Sequence, residues 1–394
     1  MQVLHQSAID PVFVQNPYPF YERARSHGPF FHWADYGMVC TPSASAANAI
    51  FRDRRFGREA PAELAPAIPK HLKPFYAVEA HSMLELEPPR HTRLRGLVLR
   101  AFTSRRIAAL GPEITQLSHD LIDAFPPGPF DLLAHFGQKL PVTIIARLLG
   151  VPLTMSDDLL KWSNAMVGMY MANRTPEAEQ RAVAATEAFV AFLRDYISQR
   201  RQDPRDDLIT SLIAAEEAGE KLTTDELIST CILLLNAGHE ATVHTIGNGV
   251  KTLLETRTPV TALAPDAIEA TTEEILRFDP ALHMFTRWAY ADAEIMGHTF
   301  RRGDRVALLL GAANRDPEIW EHPDHFIPTR PIKPNVTFGA GLHFCVGAPL
   351  ARSELQLALP ILFNRLPGLA LAAPPTYGNV YHFHGLTKLM LDRA

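Results

Sequence analysis

The stretch from about Asp225 to Thr256 constrains this chain more than any other. It opens on Thr223 and Glu226, a T-x-x-E capping box that pairs two of the backbone N–H groups a helix start leaves free. No proline interrupts it, and Ile228, Ile232, Leu233, Leu234, Leu235, Val243, Ile246 and Leu253 fall on nearly every side of a 3.6-residue period. At 1.5 Å per residue, about 32 residues make a rod of roughly 48 Å, enough to cross a whole domain. A helix apolar all round must be buried, so the rest of the chain must wrap it. A bilayer is not what buries it. The longest apolar runs, such as Cys231–Leu235, fall far short of the ~20 residues a membrane span needs.

The middle of this rod is its anomaly. Asn236, Gly238, His239, Glu240 and Thr242 interrupt the apolar pattern. A glycine costs a helix about 1 kcal/mol relative to alanine, and a buried carboxylate costs more unless hydrogen-bonded. Either a stray polar turn faces a crevice, or the helix carries chemistry at its centre. Elsewhere 32 prolines punctuate the 394 residues, with pairs at Pro88-Pro89, Pro126-Pro127 and Pro374-Pro375. Between them the helical period predicts helices over Thr92–Phe102, Glu113–Ala124, Val142–Leu149, Pro176–Arg200, Asp206–Ala218 and from Gly347 to about Leu359. Short β-like stretches are Met38–Thr41, Glu294–Phe300, Arg305–Leu310 and Lys388–Leu391. The expected fold is mainly α with small β-sheets. No repeat, low-complexity tract or compositional break divides residues 1–394, which read as one domain.

Charge and cysteine usage narrow the function. Lys+Arg 38 against Asp+Glu 43, a net charge of −5, leaves no basic excess for phosphate backbones, so nucleic acid is not an expected partner. Cys40, Cys231 and Cys345 stand far apart with no C-x-x-C pair, which speaks against a disulfide framework and for a reducing compartment. The opening residues, MQVLHQSAIDPVF, hold neither the charged n-region nor the apolar h-region of a signal peptide. A cytoplasmic protein without a membrane span is expected.

The sharpest motif is Phe338-Gly339-Ala340-Gly341-Leu342-His343-Phe344-Cys345-Val346-Gly347. Its three glycines let the backbone approach a flat ligand closely and adopt positive φ. Cys345 stands just before a helix start, which favours the thiolate and lowers its pKa, while free N–H groups can point at the sulfur. A lone thiolate on such a loop suits one axial ligand to haem iron, not zinc, which wants four close Cys/His ligands. On these residues alone, an inert buried thiol after a glycine turn stands beside that reading.

The pattern F-x-x-G-x-x-x-C-x-G resembles the haem-binding signature of the cytochrome P-450 superfamily, the haem-thiolate monooxygenases, in their soluble bacterial form. Three more stretches follow in the family's order, over about Pro88 to Arg352. Glu274-Ile275-Leu276-Arg277 resembles its E-x-x-R, which with Arg330 implies a Glu–Arg–Arg scaffold beneath the cysteine loop. Glu87-Pro88-Pro89-Arg90-His91-Thr92-Arg93-Leu94-Arg95 is similar to its C-helix motif, in which His91 and Arg95 would hold a haem propionate. Arg287 of Phe285-Thr286-Arg287-Trp288 and His343 would complete that clamp, since a buried dianionic edge needs cationic donors. Ala237-Gly238-His239-Glu240-Ala241-Thr242 resembles the A-G-x-[DE]-T-[TS] of the oxygen-binding helix.

The resemblance implies haem b (iron protoporphyrin IX) with Cys345 as its metal ligand and Phe338, Gly339, Gly347 and Ala237 against the cofactor. It implies reductive activation of O2 and oxidation, such as hydroxylation, of an organic substrate. Glu240 would supply protons and Gly238 would open room for oxygen. Ala241 departs from the family, which carries an alcohol there; Thr242 lies about 100° further round the helix. A water held by Glu240, a hydroxyl or carboxyl on the substrate, or Thr242 reached by local widening of the helix could each compensate. No flavin fingerprint or iron–sulfur cysteine set is present, so a ferredoxin and its reductase are the expected electron donors. The pocket is expected around Ala65–Met83, Met166, Met169, Tyr170, Leu233, Leu234, Leu282, Met284, Phe285 and the turn His382-Phe383-His384, which implies a small, largely apolar substrate. A peroxide-using peroxygenase or a non-monooxygenating haem enzyme is the alternative, and a non-catalytic haem sensor a more distant one.

Overall fold

In the computed structural model, which describes residues 1–171, 174–217 and 220–393, the long helix runs from Thr224 to Glu255. Both halves of its capping box are made: Thr223 Oγ1 accepts from the Glu226 N–H at 3.2 Å, and Glu226 Oε2 accepts from the Thr223 N–H at 2.9 Å. Helices Lys139–Leu149, Ser156–Val167, Pro176–Gln202, Ile268–Phe278 and Ala348–Arg365 pack round it in one large apolar core. Gly247 and Gly249 let neighbours come close, since a Cβ on them would meet Leu133 Cδ2 at 2.8 Å and Ile275 Cγ2 at 3.0 Å.

The β structure is peripheral, as expected. Among the described residues its largest piece is a six-stranded sheet in the order Val3–Leu4, Phe31–Trp33, Met38–Thr41, Arg305–Leu309, Met284–Ala289, Phe56–Gly57. The central pairing is parallel on one side (Val306 opposite Val39) and antiparallel on the other (Leu308 opposite Phe285). One face of this sheet carries a core of its own with Phe30, Ile50, Phe56 and Phe300. The other packs against the aromatic N-terminal segment, including Phe13, Phe20, Tyr21 and Trp33.

Several boundaries differ from the sequence reading, each for a local reason. Glu294–Phe300 is not one strand but a hairpin, Ala293–Ile295 against His298–Phe300, because Met296 (φ 48) and Gly297 (φ 79) turn the chain between them. Lys388–Leu391 likewise divides into Leu386–Lys388 and Met390–Arg393, which belong to different sheets. The helix expected over Asp206–Ala218 is Leu208–Ala214, started by the Asp207 side chain accepting from the Thr210 N–H at 2.8 Å; Ala218 lies outside the described residues. The helix after the cysteine continues past Leu359 and through Pro360 to Arg365.

Candidate active site

The cysteine loop is held from below by a fully satisfied buried cluster. Glu274 and Arg277 are 2% and 1% exposed, and Arg277 donates to both Glu274 oxygens, at 2.7 and 2.8 Å. Glu274 also accepts from Arg330 Nε at 3.0 Å and from the Ile327 N–H at 2.8 Å. Arg277 spends its remaining donors on the carbonyls of Asn314, Pro323 and His325. Next door, Asn314 Oδ1 accepts from the Val336 N–H, and the Thr337 hydroxyl reaches the Leu276 carbonyl. The chain is thereby fixed up to Phe338, whose carbonyl accepts from the Cys345 N–H at 3.1 Å and closes the loop.

Inside the loop, glycine is obligatory at 341. It has φ +70, and a Cβ there would lie 2.1 Å from the Phe51 carbonyl oxygen. Cys345 itself is half-buried, whereas Cys40 and Cys231 are both 0% exposed. The expected lowering of the Cys345 pKa is not what the structure gives. Burial pushes the thiol up, and the N–H groups of Gly347 and Ala348, with Arg95 and Arg352, only oppose it.

Beside the loop, hydrogen-bond donors gather, two of them arginines. His91 is 1% exposed with Nδ1 unpartnered, and its ring centroid lies 4.3 Å from that of His343. Arg95 donates to the Phe344 carbonyl at 2.7 Å. Arg287 is 3% exposed and lies over the Phe51 ring; among the described residues it has no ion-pair partner. Burial and the nearby charge of Arg58 lower its pKa to about 9, with Glu87 working the other way. His343 is not a free donor, because its Nε2 lies 3.0 Å from Glu87 Oε1.

The anomaly in the long helix now has a spatial meaning. Ala237 is exposed in a helix whose residues Asn236 and His239 are buried, and Leu233, Gly238, Glu240, Ala241 and His244 are half-buried. Leu233, Ala237 and Ala241 recur every four residues and so share one face. Accessible surface at the centre of a wrapped helix borders an internal space. Glu240 is on this border, with Oε1 3.3 Å from His244 Nε2 and Oε2 3.6 Å from His239 Nδ1. Burial works to raise its pKa, but the hydrogen bond and charge of His244, with His239, hold the carboxyl below its usual range. Burial in turn lowers His239 to about 4.

His244 was not singled out in the sequence, although it stands four residues from Glu240, the spacing that brings side chains together on a helix. Its ring is seated by Gly385, where a Cβ would come within 1.9 Å of Nδ1. Thr242 is buried off the accessible face, and its hydroxyl donates to the Gly238 carbonyl at 3.1 Å. Gly238 does not open space as expected. An added Cβ would make ordinary contact with Ile145 at 3.6 Å, because that side of the helix faces Lys139–Leu149.

The family model for Cytochrome P450 matches residues 20–259 and 267–366. This chain belongs to the cytochrome P450 family. It is 42% identical over 297 residues to cytochrome P450 107B1 of Saccharopolyspora erythraea, covering 74% of this chain and 72% of that one. It is 39% identical over 301 residues to the mycinamicin IV hydroxylase/epoxidase of Micromonospora griseorubida, covering 75% and 74%. The solved structure of P450BioI in complex with an acyl carrier protein carrying hexadec-9Z-enoic acid superposes with a TM-score of 0.91, at 33% identity, over 97% of this chain and 100% of that one.

This P450 is therefore an oxidoreductase, a monooxygenase with haem b held by a cysteine thiolate, acting on O2 and an organic substrate. Its residues fit that cofactor. They offer one accessible cysteine on a glycine loop, a stripe of bare helix surface, and, beside the loop, two cationic arginines (Arg95, Arg287) with the buried imidazole of His91, which burial lowers to about 4 and so leaves neutral. Among the described residues no helix is long and apolar enough to cross a membrane.

The expected pocket needs correction. Met166, Met169 and Leu234 are 1%, 5% and 8% exposed and are packed into the main core. Met284 belongs to the N-terminal aromatic cluster, since strand alternation turns it away from the face on which half-buried Phe285 stands. Phe383 is 8% exposed; it pairs with Leu282 across an isolated bridge, and its ring lies 5.8 Å from that of His244. Of the expected set, Leu233, Leu282, Phe285, Tyr170 and His382 retain accessible surface, as does much of residues 65–83.

Proposed function

We propose that Cys345 is the iron ligand of this P450, and that the chain, as one domain of residues 1–394 in the cytoplasm, oxidises a small, mostly lipophilic molecule. One observation carries this reading. Of the three cysteines only Cys345 keeps accessible surface, on a loop anchored by the Glu274–Arg277–Arg330 cluster. When bound, haem supplies reductive activation of O2 and insertion of one oxygen atom into the substrate. Phe338, Gly339, Gly347 and Ala237 make room for its faces. Arg95, Arg287 and His91 hold its anionic edge, and the His343–Glu87 pair fixes the wall behind them. Glu240, kept ionised by His244, takes a proton from solvent and returns it to a water above the helix. That water stands in for the hydroxyl missing at Ala241, because the Thr242 and Thr245 hydroxyls are spent on the Gly238 and Ala241 carbonyls.

Electrons come from a ferredoxin and its reductase. The exposed face of the cysteine loop suits a small protein donor: Leu99, Leu342 and Phe344 are 46%, 39% and 39% exposed, beside exposed Arg52 and Arg100. Ala241 also favours a second reading, in which peroxide replaces O2 and reductant, because that route needs no alcohol to time a second proton. The test uses Cys345→Ala, Cys40→Ala and Cys231→Ala. Only the first should abolish the reduced carbon-monoxide spectrum of thiolate haem; its survival there, with loss in another variant, overturns the assignment. Faster turnover with peroxide than with ferredoxin selects the second reading.

A further inference from the structure

The loop and helix segments from Arg58 to Glu87 form a polar wall that an oxidation site for purely apolar molecules does not require. Glu87 joins His343 of the cysteine loop and accepts from the Arg58 N–H at 2.7 Å. The Arg58 guanidinium pairs with Glu85 and lies over the Phe285 ring. Beyond them stands Glu79, the last residue of helix Lys73–Glu79, a helix end where the backbone dipole disfavours an anion. The Ser229 hydroxyl donates to the Val78 carbonyl at 2.9 Å, which pins this end of the helix to the long helix. Ser229 lies about one helical turn before Leu233, so the Val78–Glu79 end of this helix packs about a turn from the start of the accessible stripe.

We propose that Glu79, with Tyr170, is the anchor for a protonated or quaternary amine carried by an otherwise lipophilic substrate. The proposal rests on the monooxygenase reading and names the substrate class for that site. Tyr170 donates to Glu79 Oε2 at 3.0 Å, but among the described residues no cation stands within ion-pair distance of Glu79. The groups facing it are the Tyr170 phenol, the Glu85 carboxylate and the Arg58 guanidinium already engaged by Glu85. Burial, reinforced by Glu85, raises the Glu79 acid to about 7 against the opposing pull of Tyr170 and Arg58. Yet Glu79 and Tyr170 are only half-buried, so both keep surface that a ligand can reach. A desolvated carboxylate without a counter-ion is costly, and a ligand cation removes that cost. Aromatic rings suit such a cation as well: Tyr170 and Tyr76 flank Phe75, with centroids 6.3 and 5.3 Å from it.

The test measures binding to the haem-loaded protein by calorimetry and by the optical shift of displaced iron-bound water. The probe is octyltrimethylammonium, which has no lone pair for iron; octan-1-ol and octanoate are the neutral and anionic controls. Wild type should bind the cation at least tenfold more tightly than octan-1-ol and reject octanoate, with the preference growing from pH 6 to 8 as Glu79 ionises. Glu79→Gln should abolish the preference and its pH dependence, leave octan-1-ol affinity unchanged, and retain haem; Glu79→Asp should restore part of it. A cation preference that persists in Glu79→Gln, or none in wild type, overturns the proposal. Failure of the monooxygenase reading would show separately, as loss of the thiolate carbon-monoxide spectrum from wild type itself.

Discussion

At the scale of single residues, the chemistry turns on Glu240 and on what Ala241 lacks. The carboxyl is held below its usual range chiefly by the hydrogen bond and charge of His244, while burial lowers the neighbouring His239 to about 4 and keeps it neutral. Neither nearby threonine replaces the missing alcohol, since both hydroxyls close bonds within the helix. Glu240→Gln should therefore slow ferredoxin-driven turnover most and lower the fraction of reductant that appears as product, typically by 10²- to 10⁴-fold in rate for a lost proton-transfer group. Thr242→Ala should change that fraction little. Full reductant-driven activity in Glu240→Gln would sink the relay. Glu240 was legible in the sequence because a carboxylate in an apolar helix has to be explained. His244 was not, because only the folded C-terminal turn with Gly385 reveals how its ring is seated.

At the scale of elements, the helix after the cysteine contains an acid without an evident use. Glu354 is 1% exposed, neither oxygen has a partner among the described residues, and burial pushes its acid up to about 8. The sign of its effect follows from linkage. Between its ordinary value of 4.5 and about 8, the folded state keeps the proton and the unfolded state releases it. Stability is therefore lost as pH rises through that window, by about 1.4 kcal/mol per pH unit. Glu354→Gln should melt at higher temperature than wild type, by a margin that widens from pH 5.5 to 8; a constant margin rejects a buried protonated acid. Elements with strong local signals, such as the capped helix Thr224–Glu255, were legible to within a residue or two. The hairpin at Met296-Gly297 was not, because a methionine at positive φ carries no turn signature.

At the scale of the whole molecule, the accessible stripe through the centre predicts how cofactor and fold depend on each other. Anything that binds only the folded state stabilises it, by about 4 kcal/mol when present at a thousand times its dissociation constant. Removing haem should lower the melting temperature and speed hydrogen exchange at residues 87–95, 237–244 and 338–347. The tightly packed helix Lys139–Leu149 and residues 189–200 of the helix Pro176–Gln202 should change little. Uniform acceleration along the chain would show that the cofactor supports the fold globally and not through these three segments.

What the sequence determined by itself were features written in local chemistry: the long buried helix, the glycine loop around Cys345, and the Glu274–Arg277 spacing that fixes two side chains on one face. Each depends on backbone conformation or on neighbours three or four residues away. Which side chains border the internal space was decided only by tertiary structure. Met166, Met169, Leu234 and Met284 have the composition of a pocket but pack into cores, because apolar side chains satisfy either role equally. Glu79 acquires its meaning only when Tyr170, 91 residues away in sequence, and Arg58 come beside it. Burial and charge at a point in space sum over all the elements that converge there, and no stretch of sequence contains that sum.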